Sequence, residues 1–366
     1  MVKAEHNHNK EPLFHIVKRD QLPLWKSFLI RAISVLGALV LCGIICFLIL
    51  DINPIKFYET LFKGVFGSER RMWKMLKDLA VLLCIALAIT PAFKMRFWNI
   101  GAEGQVLVSC LASVACAFYI RDAVPNGVLL LIMLVASIVA GAIWAVIPAI
   151  FKAHWNTNET LFTLMMNYIA TSLVAYFLIV WVPSGSSTLG SVNFGILPTI
   201  GGNIDKYGYL LLIAIVAALT VGMYIYLKYS KHGYEISVVG ESSKTACYIG
   251  IDVKKVIIRT LIVSGMVCGI AGFLIVSALD HSVTTNTVGG QGFTAIMVSW
   301  LAKFNPFIMI VTSFIIVFIQ QGADQVATNM SISNAFPSII VGIILFFIIG
   351  CEFFINYKIM FRRKEA

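Results

Sequence analysis

Long apolar runs separated by short polar stretches dominate the chain. Runs of spanning length fall at 28–50, 128–150, 160–182, 208–228, 258–279 and 337–356, each near the roughly 20 residues that cross a bilayer as a helix. Between them lie shorter runs at 78–95, 104–120, 291–302 and 307–322, each broken by Gly, Pro or polar residues. The pattern predicts an all-α integral membrane protein with about ten transmembrane helices, some of them interrupted. It also predicts an N-terminal tail at 1–27, a membrane domain at 28–356 and a C-terminal tail at 357–366. The first apolar run follows some 27 polar residues and is too long for a signal-peptide h-region, so no cleavage is expected.

Composition narrows the class. Of 366 residues 59% are hydrophobic and only 13% charged, with mean hydropathy +0.88, whereas soluble domains carry about 25% charged residues. A water-soluble enzyme is excluded, and the net charge of +10 reads as topology-setting loop charge with no nucleic-acid partner. With both termini cytoplasmic in a plasma membrane, the 28 Lys and Arg divide 20 inside to 8 outside. Segment 51–77 dissents, with six of the outside charges among Phe57, Tyr58, Leu61, Phe62, Val65, Phe66 and Trp73. That spacing predicts an amphipathic helix at the bilayer surface. The Gly- and Ser-rich loops 183–207 and 323–336 are expected outside, where they are available for docking or gating.

Seven cysteines lie inside apolar runs and read as small hydrophobes; Cys247 alone sits in a polar segment, and no CxxC pair occurs. His154, His232 and His281 are each alone in their loops. No metal, bound cofactor or catalytic centre is expected.

Polar groups at membrane depth are costly unless they face a cavity or one another. Three clusters qualify. The first is Asn99-Ile100-Gly101-Ala102-Glu103-Gly104-Gln105, whose glycines let the backbone leave helical geometry while the side chains supply donors and acceptors. Internal hydrogen bonding of Glu103 and contact with a passing solute are both open. The second runs Asn156 to Thr160, with Asn167 farther along. Here Asn158 or Thr157 caps a helix and Glu159 meets the positive end of its dipole, but Asn167 has no such account and is expected to face the pathway. The third runs Thr284 to Phe293 and includes Gln291. Its glycine-amide break answers the first weakly, as the halves of an inverted repeat would. Asn99, Glu103, Gln105, Asn158, Glu159, Asn167 and Gln291 form the candidate substrate-pathway set.

The internal loop 229–257 holds a predicted short helix, capped by Ser242 or Ser243 and closed near Ile249 by Gly250 in the left-handed conformation. A helix this short needs something to dock on. The run Gly240 to Thr245 is not a nucleotide loop, because the P-loop pattern needs glycine where Val238 and Ser243 stand. Any ATP is therefore bound by a separate subunit.

Phe97-Trp98-Asn99-Ile100-Gly101-Ala102-Glu103-Gly104-Gln105 and Asn158-Glu159-Thr160 to Met166-Asn167-Tyr168-Ile169-Ala170 resemble the ten-helix permease subunits of bacterial ABC importers in the branched-chain amino acid, simple sugar and nucleoside group. The second stretch is closest to the nucleoside branch, and the likeness runs from about 30 to 356. It implies a permease subunit for nucleosides that works with a second permease subunit, as homodimer or heterodimer. It further implies ATPase subunits carrying ATP and Mg, and an extracytoplasmic substrate-binding protein. The segment around Gly240, Glu241, Ser243, Ala246, Tyr248 and Gly250 resembles the family's coupling segment, in which a short helix docks on the ATPase. Lys244-Thr245-Ala246-Cys247 departs from the family's Ala-rich pattern there. Two alternatives stay open: the same importer type for a simple sugar such as ribose or galactose, and a secondary transporter with Glu103 as coupling residue.

Overall fold

The computed structural model describes residues 14–18, 23–50, 53–182, 195–196, 205–333 and 335–361. Thirteen helices are found among them. They are α1 (Leu24–Leu50), α2 (Pro54–Phe66), α3 (Glu69–Lys94), α4 (Ala102–Ile120), α5 (Asn126–Trp155), α6 (Glu159–Trp181), α7 (Asp205–Tyr229), α8 (Lys231–Glu241), α9 (Ser243–Tyr248), α10 (Val253–Leu274), α11 (Gln291–Leu301), α12 (Pro306–Asn329) and α13 (Phe336–Asn356). A six-residue π-helical turn, Ile275–Asp280, extends α10. Eight helices among the described residues are long and apolar enough to cross a membrane, and α1 adds a ninth apolar helix of 27 residues. The tenth predicted span becomes α11, whose 11 residues reach only about 16 Å. It is a half-length helix behind a break, too short to cross without the non-helical residues 281–290 that precede it.

The predicted surface helix ends sooner than its charges do. α2 stops at Phe66, and Arg70, Arg71, Lys74 and Lys77 belong to the first turns of α3. On α2 itself, Phe57, Leu61 and Val65 are buried at i, i+4 and i+8, while Lys56 and Lys63 stay exposed. The helix is thus amphipathic, with an apolar stripe turned inward.

Two compact units are formed, one from residues up to 64 together with 319–366 and one from 65–318. In the first, α1 packs on α13 and Phe57 meets Phe336 edge to face. The strands β1 (Phe14–Lys18) and β2 (Tyr357–Phe361) pair antiparallel, Phe14 opposite Phe361 and Lys18 opposite Tyr357. This ribbon joins the residues just before α1 to those just after α13.

In the second unit α3, α4 and α10 form the interior, with α5 packed along α4 and α10 and α11 against α3. Lipid tails are as apolar as Leu, so tight association depends on small residues that let backbones approach. A Cβ on Gly269 would lie 2.6 Å from the Ser137 carbonyl oxygen, and one on Gly272 would lie 2.6 Å from the Ser109 Cβ. The Ser137 hydroxyl lies within hydrogen-bond distance of the Met133 carbonyl on its own helix and of the Ser109 carbonyl on α4. Its polar atom is therefore satisfied inside this seam of small side chains.

Candidate functional site

The α3–α4 connection leaves helical geometry at Met95 and resumes at Ala102. Four side chains hold this break. Asn99, fully buried, accepts from the Gly101 N–H at 3.0 Å and from Gln105 Nε2 at 3.3 Å. Thr163 Oγ1 on α6 takes the Ile100 N–H at 3.2 Å. Asn167, one turn on, accepts the Gly104 N–H at 2.9 Å through Oδ1 and donates to the Ile100 carbonyl at 3.0 Å through Nδ2. Peptide groups freed by an interrupted helix must be paired again inside a membrane, and α6 does this with an amide and a hydroxyl four residues apart.

Asn167 is therefore not the unpartnered mid-helix amide that the sequence leads one to expect. Both of its polar atoms stitch α6 to the break, and Gly104 makes room for it: a Cβ there would lie 2.8 Å from Asn167 Oδ1. Thr163 was not among the sequence candidates. Its position one turn before Asn167 on the same face is the signal that finds it.

Glu103 joins this break to the third polar cluster. Its Oε1 accepts the Gly290 N–H and its Oε2 the Gly292 N–H, both at 2.8 Å, so one carboxylate receives two amides from the start of α11. The positive end of that helix favours the negative charge. Gly289 and Gly290 take φ of +58° and +78°, which presents the amides. Gly292 permits the approach itself, since a Cβ there would lie 2.6 Å from the Glu103 backbone nitrogen. Among the described residues, three buried polar atoms around the two breaks have no protein partner: Asn99 Nδ2, Gln105 Oε1 and Gln291 Oε1.

Asn158 and Glu159 lie apart from this group. Asn158 caps α6, accepting from Thr160 and Leu161 N–H at 3.1 and 3.3 Å. Glu159 pairs with Lys152 at 2.8 Å. Glu159 borders a cavity of about 720 Å³ that Arg96, Glu241, Ser243 and Asp252 also line.

On the far side of that cavity, Ser242 Oγ accepts the Thr245 N–H and starts α9. Gly250 follows at φ +82°, in the predicted left-handed conformation. Of the six coupling candidates, Gly240 and Ala246 face inward. Gly240 abuts the Lys94 carbonyl, and Ala246 is fully buried beside Ile236, Val256 and Leu261. Tyr248 is 90% exposed, and Glu241, Ser243 and Gly250 are exposed as well. The short helix thus docks on its own chain through Ala246 and points Tyr248 away from it. Beneath it Glu235 on α8 pairs with Arg259 on α10, a hydrogen bond that holds the carboxyl below the usual glutamate range.

The chain matches the family described as branched-chain amino acid transport system / permease component over residues 71–349. It is 26% identical over 357 residues to the glucose ABC transporter permease protein TsgB13 of Haloferax volcanii, covering 93% of this chain and 92% of that one. It is 27% identical over 311 residues to the guanosine ABC transporter permease protein NupP of Bacillus subtilis, covering 84% and 88%. The nucleoside ABC transporter permease protein NupB of Lactococcus lactis is 27% identical over 320 residues, covering 84% and 87%. With its apolar helices, its re-paired breaks and this match, the chain belongs to the branched-chain amino acid transport system / permease component family: a multi-pass ABC importer permease, a transport subunit and not an enzyme.

Proposed function

We propose that this chain forms half of the translocation pathway of an ATP-driven importer for nucleosides, coupled to a separate ATPase through α9. The observation that carries the coupling is Tyr248, almost wholly exposed on a helix clamped from behind by Ala246. A knob held rigidly on one side and bare on the other suits a partner surface. ATP and Mg would sit on that partner, and an extracytoplasmic binding protein would deliver the solute. Segment 229–257 and both termini are then cytoplasmic, in keeping with the division of Lys and Arg and with the ribbon that joins the two ends.

At the two breaks, Asn99, Gln105 and Gln291 keep unpartnered polar atoms that buried water can satisfy, and Glu103 and Asn167 hold the frame around them, so these residues support the pathway wall from behind. α10 packs on α3 and α4, and α11 on α3, which supports two break-bearing halves arranged as an inverted repeat. NupP and NupB, named for guanosine and nucleosides, support nucleosides. A second reading is a simple sugar such as ribose or galactose, favoured by the likeness to a glucose permease. The test is uptake into proteoliposomes holding the chain with its sister permease, ATPases and binding protein. Guanosine, adenosine and uridine should enter with ATP inside and not without it. Entry of ribose, galactose or glucose alone would select the sugar reading, and ATP-independent uptake would sink the importer assignment.

A further inference from the structure

α6 turns one face toward the breaks and the opposite face outward, and the outward face is unusual. The exposed positions are Leu161, Met165, Tyr168, Ile169, Ser172, Tyr176, Ile179 and Val180. They recur at helical spacing and form a single stripe. Its ends are aliphatic, but its middle carries Tyr168, Ser172 and Tyr176 at i, i+4 and i+8, with Tyr168 69% and Tyr176 61% exposed. Among the described residues no hydrogen bond of either phenolic hydroxyl is found, while Ser172 donates to the Tyr168 carbonyl at 2.9 Å.

Tyr168 is the tenth residue of α6, about 14 Å from its start, well inside a spanning helix. Its neighbour Asn167 reaches the α3–α4 break, so the tyrosine stands level with that break on the other side of the helix. The outward stripe of α5 gives the contrast: Val128, Leu131, Val135, Val139 and Ile143 are all exposed and all aliphatic. A helix face that meets lipid is expected to look like α5. An unpaired hydroxyl at this depth is costly against hydrocarbon and belongs against water or a polar solute.

We infer that the Tyr168–Ser172–Tyr176 stripe is a wall of the aqueous translocation pathway, closed on its open side by the second permease subunit. It contacts a solute that carries both flat apolar faces and hydroxyl groups. The tyrosine rings stack on the flat faces, and their hydroxyls and the Ser172 oxygen exchange hydrogen bonds with the solute's hydroxyls. Such contacts are individually weak and close to one another, which lets a solute pass without being trapped. This rests on the importer reading proposed above and adds the surface that the solute touches.

The experiment uses the assembled transporter with native cysteines replaced. A charged, membrane-impermeant thiol reagent should label Ser172→Cys and fail to label Leu131→Cys on the α5 stripe. Saturating guanosine should slow the Ser172→Cys reaction. Tyr168→Ala should lower uptake at low solute concentration about fivefold, as expected for one lost stacking contact, and Leu131→Ala should leave uptake unchanged. If Ser172→Cys is as inert as Leu131→Cys in a complex that transports normally, the stripe faces lipid or a packed protein interface and the inference fails. If the wild-type complex shows no ATP-dependent uptake, the importer reading fails instead, and the labelling contrast still decides the stripe.

Discussion

At the residue scale the decisive side chains are those that repair interrupted backbone. Asn167 pairs one N–H and one C=O of the α3–α4 connection, and an apolar replacement leaves both inside the protein without partners. Asn167→Leu is therefore expected to destabilise the fold by about 1–3 kcal/mol, read as a lower thermal midpoint of the detergent-solubilised protein. An unchanged midpoint with slower uptake would return Asn167 to the pathway. Glu103→Gln keeps one acceptor oxygen but sets an NH2 group against the other of the two glycine amides. It should also cost about 1–3 kcal/mol, and a midpoint equal to wild type would show that the carboxylate does not bind α11 to α4. Asn167 was visible in the sequence as a polar residue in an apolar run. Its partners were not, because they lie 63 and 67 positions away and only the approach of α6 to α4 brings them within reach.

At the element scale, the short helix α9 was legible from Ser242 and Gly250, whose capping roles depend on local chemistry. Its packing was not. Ala246 is buried against α8 and α10, so Ala246→Arg should unfold this corner and lower the yield of folded protein, whereas Tyr248→Ala should leave yield intact and abolish stimulation of the ATPase partner. Normal stimulation by Tyr248→Ala would remove α9 from the coupling surface. The Glu235–Arg259 pair that ties α8 to α10 has a sign that can be checked. Its carboxyl is held below the ordinary range, so its contribution is complete above the unfolded-state value near pH 4 and fades as pH falls through the lower folded value. Glu235→Gln should lower the thermal midpoint at pH 7, by about 1 kcal/mol in this partly solvated setting, and the gap to wild type should close on acidification. A gap that does not change with pH would mean the pair is not an ionic one.

At the scale of the whole molecule, the ribbon of β1 with β2 and the charge distribution both bear on topology. In intact cells with native cysteines replaced, Ser186→Cys should react with an impermeant thiol reagent and Ser243→Cys only after permeabilisation; the opposite pattern would invert the orientation. The approximate limits of the long apolar helices, the all-α class and the places where helices break were set by the sequence alone. Burying apolar runs in lipid and paying for polar residues at depth are local costs that depend on composition within some 20 residues. Tertiary structure alone decided that the breaks at 99–105 and 284–293 meet through Glu103, and that α11 is a half-length helix. It also decided that Ala246 faces in while Tyr248 faces out, and that α6 shows hydroxyls where α5 shows aliphatic carbon. Each of these depends on which helices are neighbours, and in a chain where nearly every surface is apolar, hydrophobic pattern cannot choose among neighbours. Small side chains and paired polar atoms choose instead, and they act only once the helices are in contact.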